Sequence, residues 1–163
     1  MTERPDFRFV TGHPAHFLSF GFGSGLAPFA PGTAGTLLAW ALYWFIKPFY
    51  QDTEFLMLLA AAFLLGIWAC ARTGRELGVA DHSGMVWDEM VAFWLVLLLI
   101  PQSITWQCVA FFLFRLFDIA KPPPIDYFDE KLKGGFGVML DDIIAAFYAL
   151  LLIALWIYFF PST

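Results

Sequence analysis

Charge is what this chain has least of. Asp, Glu, Lys and Arg make up 14% of its 163 residues, against about 25% in an ordinary soluble domain. Only 9 are Lys or Arg, against 14 Asp or Glu. A nucleic acid is therefore excluded as a partner, because affinity for a phosphate polymer rests on many basic contacts. Cysteine is nearly absent. Cys70 and Cys108 each lie in an apolar run, have no metal-ligand spacing, and read as small buried residues. The N-terminus shows no short apolar core followed by a small-residue cleavage site, so no cleaved signal peptide is expected. There is no internal repeat, low-complexity tract or long linker, and residues 1–163 are expected to form a single domain.

Apolar residues are abundant instead. They reach 60%, and aromatics 20%. That excludes disorder, and a chain this small has too little interior to hide so much apolar surface. The expected class is all-α: a polytopic membrane helical bundle of four to five segments, some short or re-entrant. A spanning helix needs about 20 residues. Ile143–Phe160 and Phe55–Ala71 carry no charge over 18 and 17 residues. A third segment runs from about Gly35 to Ile46 and is closed by Lys47. Met90–Ile100 and Ile104–Phe114 have 11 residues each, and either span with polar flanks or form a re-entrant hairpin covered by protein. With five passes, Arg4, Arg8, Arg72, Arg75, Arg115, Lys121, Lys131 and Lys133 fall on one side and Lys47 alone on the other. The positive-inside rule makes the first side cytoplasmic.

Three polar clusters interrupt the apolar chain, all on that side. The first, Gly21 to Thr36, is glycine- and proline-rich. It matches neither a dinucleotide fingerprint nor a P-loop. Its backbone amides, with those of Gly32 and Thr33 before an apolar helix, suit an anion; Thr33 or Thr36 can equally act as a plain helix cap. The second cluster is Asp81-His82-Ser83-Gly84, then Asp88-Glu89. Asp81 or Ser83 can cap the next helix, and His82 can serve as a general acid to a leaving alkoxide. The third holds Arg115, Asp118, Lys121 and Pro122-Pro123-Pro124, then Asp141-Asp142.

Asp88-Glu89 and Asp141-Asp142 each precede an apolar run. One such pair reads as helix-start acids complementing the macrodipole. Two pairs in so charge-poor a chain read as a site, since ionisable groups beside membrane helices are costly. Several carboxylates sharing a small site need a cation, and hard oxygen ligands suit Mg²⁺. The candidate metal ligands are Asp88, Glu89, Asp141 and Asp142. Neighbours on a helix point about 100° apart, so one acid of each pair can bind metal while the other orients water or caps. Arg115 and Asp118, three apart, share a helical face. They form a structural ion pair, or Arg115 forks a phosphate while Asp118 adds a further ligand. Lys121, ahead of three prolines, is expected to be extended, as a phosphate contact or a snorkelling lysine. Asp129, Glu130, Lys131 and Lys133 read as a solvated loop. His13 and His16 receive no role.

At these residues the sequence resembles the phosphatidylglycerophosphatase A family. The shared stretches are GxGxxP-x-APGT-x-G, DHSGMVWDE, FRLFDIAKPPPI and GGFGVMLDDIIA, in the family's order and spacing from about Gly21 to Ala145. The resemblance implies an all-helical, Mg²⁺-dependent phosphatase of the bacterial inner membrane, acting in phospholipid biosynthesis. Its substrate would be phosphatidylglycerophosphate and its products phosphatidylglycerol and phosphate. The family's polar positions fall on Thr33, Asp81, Asp88, Glu89, Arg115, Asp118, Lys121, Asp141 and Asp142; Ala92 and Ala146 stand where glycine is expected. The expected partners are this phospholipid and membrane lipids, with the oligomeric state left open. The alternative is a small ion or proton transporter whose acids form a relay.

Overall fold

The computed structural model describes residues 5–123, 132 and 134–160. Arg4, Pro124, the loop with Asp129, Glu130, Lys131 and Lys133, and the tail 161–163 lie outside them. The described residues contain helices and no strand. A short hairpin of α1 (Phe7–Gly12) and α2 (Pro14–Ser19) leads through a 3-10 turn (Gly21–Leu26) into five longer helices. These are α3 (Pro31–Ile46), α4 (Asp52–Leu77), α5 (Trp87–Leu99), α6 (Ile104–Ala120) and α7 (Gly135–Phe159).

Helices α3, α4 and α7 have other bounds than the sequence reading, each for a local reason. α3 starts at Pro31, not near Gly35. Proline at the first helical position has no N–H to leave unsatisfied, and Ala30, in the left-handed region, turns the chain into it. α4 is extended at both ends. Gln51 and Glu54 close a capping box, and Gly78 ends the helix in a left-handed conformation. α7 starts at Gly135, so Asp141 and Asp142 lie inside the helix, not at its start.

α4 and α7, at 26 and 25 residues, are long and apolar enough to cross a membrane. α5 has 13 residues, a length of about 20 Å, short of a bilayer core of about 30 Å. It is the centre of the bundle. Met90, Ala92, Phe93, Val96 and Leu97 are fully buried, and α5 packs against α3, α4 and α7. Where relatives are expected to have glycine, Ala92 and Ala146 are fully buried.

Indole and phenol groups tie the helices across this core. Trp94 Nε1 donates to the Ala39 carbonyl at 2.7 Å, Trp87 Nε1 to the Ala62 carbonyl at 3.0 Å, and Trp40 Nε1 to Gln107 Oε1 at 2.7 Å. Such bonds keep a large aromatic body in the core without orphaning its polar tip. At one end of the bundle Tyr43 donates to the Leu97 carbonyl at 3.2 Å and its ring meets Phe55. At the other, Gly35 abuts Val86, and Gly135 abuts the α4 backbone at Ile67 and Ala71 so closely that a Cβ there would overlap it. The five helices therefore alternate in direction. The starts of α3, α5 and α7 and the ends of α4 and α6 meet at one end.

Candidate active site

The start of α5 is held by its neighbours. Its N-cap is Val86, without a side-chain cap, so neither Asp81 nor Ser83 caps it. The Val86 N–H donates instead to the Ser19 carbonyl at 2.8 Å. Ser19 in turn shares a buried hydrogen bond of 2.8 Å with Thr73 of α4. His82 shapes the preceding turn: its Nδ1 accepts from the Gly84 N–H at 3.0 Å. With both sides anchored, Asp88 and Glu89 point in set directions about 100° apart.

Glu89 points at α6. Its Oε1 lies 2.9 Å from Arg115 Nη1, which also lies 2.6 Å from Asp118 Oδ2. The predicted Arg115–Asp118 face is thus an ion pair, and Glu89 is its third member. Asp142 of α7 completes the centre. Glu89, Asp118 and Asp142 each offer an oxygen, all within 4.8 Å of one another. Asp142 and Asp118 stand within hydrogen-bond reach, and two carboxylates at that range need a proton or a cation between them. Asp88, Glu89 and Asp142 each keep one buried oxygen with no hydrogen-bond donor among the described residues. Oxygens that lack donors in an apolar surround are costly, and a hard cation satisfies them.

The two acid pairs divide. On α7, Asp142 joins the centre while Asp141 turns to α6, where its Oδ2 is 3.5 Å from Lys121 Nζ. Both are 4% exposed. Sitting six and seven residues into the helix, they lie beyond the first turn in which a macrodipole acts, so helix-end electrostatics do not account for them. On α5, Asp88 is 6% exposed, and the negative charges of Glu89, Asp81, Asp118 and Asp142 act on it. Asp118, expected as a further ligand, stands with Glu89 and Asp142; Asp88 and Asp141 stand beside them.

Gly32 meets the site from α3. A Cβ there would overlap the Glu89 carboxylate. The α3 start, expected to receive an anion through Gly32 and Thr33, therefore already faces one from the protein itself. Thr33 is half-buried. Thr36 is not a cap; its hydroxyl donates to the Gly32 carbonyl at 2.8 Å. Lys121 is not extended. It closes α6 in the left-handed region, at φ 40°, while its N–H still reaches the Phe117 carbonyl. That turn aims its side chain at α7.

Sequence reasoning missed the brace behind the site. His16, assigned no role, is buried with Nε2 3.0 Å from Glu76, which also pairs with Arg72. His13 caps α2. With Ser19 and Thr73 these residues fasten the α1–α2 hairpin to α4. Small polar residues inside helices give no one-sequence signal of such a role.

Among the described residues, the buried acids Asp88, Asp141 and Asp142 all lie at this one end. They form a centre, not a path across the bundle. Arg115 and Lys121 supply positive charge beside it. A site of this composition suits an anionic phosphate group held through a cation.

Comparison with known proteins agrees with the motifs. The family described as Phosphatidylglycerophosphatase A matches residues 17–157. A Haemophilus influenzae protein named phosphatidylglycerophosphatase A is 48% identical over 143 residues, covering 86% of this chain and 87% of its own. An Escherichia coli protein of the same name is 39% identical over 140 residues, covering 85% and 80%. A Bacteroides thetaiotaomicron protein, named provisionally as a phosphatidylinositol-3-phosphatase, is 46% identical over 144 residues, covering 82% and 87%. No solved structure matches the chain. The chain belongs to the phosphatidylglycerophosphatase A family.

Proposed function

We propose that this protein is a Mg²⁺-dependent phosphatase that hydrolyses phosphatidylglycerophosphate to phosphatidylglycerol and phosphate. The observation that carries the reading is the convergence of Glu89, Asp118 and Asp142 from three helices within 4.8 Å, in a chain whose relatives carry the phosphatase name. The uncompensated buried oxygens of Glu89 and Asp142 fit a cation held by these three acids. A Mg²⁺ ion bound by these acids would supply positive charge to phosphoryl oxygens.

Arg115 keeps Glu89 and Asp118 in place through Nη1, and its remaining donors are available to phosphate oxygens. Lys121, aimed into the same end by its left-handed turn, offers an ammonium to the same group. Water attacks phosphorus in line, the bond to the glycerol oxygen breaks, and phosphate leaves with the attacking oxygen. The glycerol oxygen takes a proton from water or from His82, whose Nδ1 is occupied by Gly84, leaving Nε2 for transfer. Binding, alignment and charge supply the catalysis, as the loose transition state of phosphoryl transfer requires.

The protein is further proposed to be multi-pass in the bacterial inner membrane, with the site facing the cytoplasm. The placement of basic residues supports this. Arg8, Arg72, Arg75, Arg115 and Lys121 lie at the site end and Lys47 at the other. The substrate lipid then presents its phosphate at the headgroup layer while its acyl chains stay beside the helices.

The test is phosphate release from phosphatidylglycerophosphate by purified protein in detergent, with Mg²⁺ and with EDTA. Release that needs Mg²⁺ and returns on its re-addition supports the reading. Equal release in EDTA would remove the metal, and no release beside a working control enzyme would remove the activity. Phosphatidylinositol 3-phosphate in the same assay tests headgroup choice.

A further inference from the structure

The proposed reaction leaves unused a cavity of about 1240 Å³ between α6 and α7. Trp106, Val109 and Leu113 line it from α6, and Leu152, Leu155 and Phe159 from α7. Steps of three and four residues put each set on one helical face. The two faces stand across the cavity from each other instead of packing, and Val109, Leu152 and Leu155 are exposed. The volume exceeds the roughly 300–1,000 Å³ of a site for a compact ligand.

The same two faces continue to the carboxylate end. Phe117 lies one turn beyond Leu113 on α6, and Tyr148 one turn before Leu152 on α7. Their ring centroids are 5.4 Å apart. One turn beyond Phe117, Lys121 Nζ is 3.5 Å from Asp141 Oδ2, which lies two turns before Tyr148. The seam between α6 and α7 is thus closed at the site end by an ion pair and a ring pair, and open from Leu113 onward.

Lys121, whose ammonium is offered to the phosphate, therefore tops this seam. Leu113 is eight residues from it, about 12 Å along the helix. That stretch is left for the rest of the headgroup, a glycerol and a phosphodiester. From Leu113 the cavity follows the chain for ten residues to Ser103, about 15 Å, which is the depth of one leaflet of a hydrocarbon core about 30 Å thick.

The far end favours an apolar occupant. Gln102 and Ser103 line it, but both turn to the protein. Gln102 Nε2 donates to the Leu97 and Ile100 carbonyls at 2.7 and 3.0 Å, and its Oε1 accepts from Tyr43 at 3.3 Å. Ser103 Oγ accepts from the Trp106 N–H at 3.3 Å.

We propose that this cavity binds an acyl chain of the lipid substrate, laid along the α6–α7 seam while the phosphate meets Lys121 and the carboxylate centre. The proposal rests on the phosphatase reading above and adds to it the site that reads chain length. Methylenes buried there bind far from the reacting atoms and hold the headgroup at a set depth.

Two experiments test it. Wild type and Val109→Trp, purified in the same detergent, are assayed with palmitoyl and with butyryl phosphatidylglycerophosphate. Val109 is exposed on the cavity wall, so the indole fills the cavity and leaves the packed core alone. The expected result is a kcat/KM about tenfold below wild type for the palmitoyl substrate, the worth of about two buried methylenes, and a much smaller change for the butyryl one. Equal losses with both substrates, or no loss with either, overturn the proposal and leave the phosphatase reading intact. No release from either substrate by wild type overturns both. The second experiment needs no variant. Wild type is photolysed with phosphatidylglycerophosphate that carries a diazirine midway along an acyl chain, and the labelled residues are mapped. Label on the cavity faces of α6 and α7, displaced by palmitoyl phosphatidylglycerophosphate without the diazirine, supports the proposal. Label there that is not displaced marks bulk lipid, and label only elsewhere marks a seam covered by something else, such as a second copy of this chain; either overturns it.

Discussion

Gly32→Ala separates site geometry from fold stability. Gly32 lies in the first turn of α3, where alanine improves helix propensity by up to about 1 kcal/mol. The new methyl would overlap the Glu89 carboxylate. That carboxylate is the far end of a flexible side chain, so the fold can give way by moving Glu89 and leaving the backbone in place. The cost to stability is then small, with the propensity gain set against a loss of about 1–3 kcal/mol from overpacking. The cost to the site is larger. Glu89 Oε1 is 2.9 Å from Arg115 and within 4.8 Å of the Asp118 and Asp142 oxygens, and it has to retreat by about 1 Å. Misplacement of that order costs about 100-fold in rate. The assay is phosphate release beside thermal unfolding, with Gly12→Ala as control, because a Cβ at Gly12 meets nothing within 4 Å. The expected result is a drop of about 100-fold in kcat/KM for Gly32→Ala, an unfolding midpoint within a few degrees of wild type, and a Gly12→Ala variant of normal activity. Wild-type turnover in Gly32→Ala would refute the placement of Glu89.

Other substitutions should divide stability from activity in different ways. Arg115→Ala leaves Glu89 and Asp118 without their cation and is expected to destabilise the fold by about 3–5 kcal/mol, seen as a fall in thermal midpoint that added Mg²⁺ partly restores. Lys121→Gly relieves a left-handed lysine, a conformation costing about 1–2 kcal/mol. It also removes the ammonium that faces the buried Asp141 carboxylate, a loss that outweighs the relief, so the unfolding midpoint should fall while competitive inhibition by inorganic phosphate weakens. Asp142→Asn removes like-charge repulsion from the centre, so it is expected to unfold no more easily than wild type in metal-free buffer, yet to lose turnover by more than 100-fold.

The helices were legible because apolar runs and breakers mark them. Phe55–Ala71 and Ile143–Phe160 lie inside α4 and α7, and Pro101-Gln102-Ser103 separates α5 from α6. Their ends were less legible. The acids Asp141 and Asp142 read as a helix start, but Gly135 is needed where α7 presses on the α4 backbone, and α7 begins six residues before them. The pairing Lys121-Pro122 reads as extended, yet closing α6 requires a left-handed residue there. Within the site, the residue types were legible and their partners were not. Adjacent acids point about 100° apart, and only the packed phase of each helix decides that Asp142 meets Asp118 while Asp141 meets Lys121. Gly32 was legible as special, though its reason, room for Glu89, needed two helices brought together.

The most direct measurement is phosphate release from phosphatidylglycerophosphate by wild type and Asp118→Asn, purified in the same detergent and matched for folding by circular dichroism. Asp118 is the acid that both Arg115 and Asp142 approach, so the account predicts Mg²⁺-dependent release by wild type and its loss in the variant. Equal release by the two proteins would contradict the carboxylate centre as the seat of the chemistry.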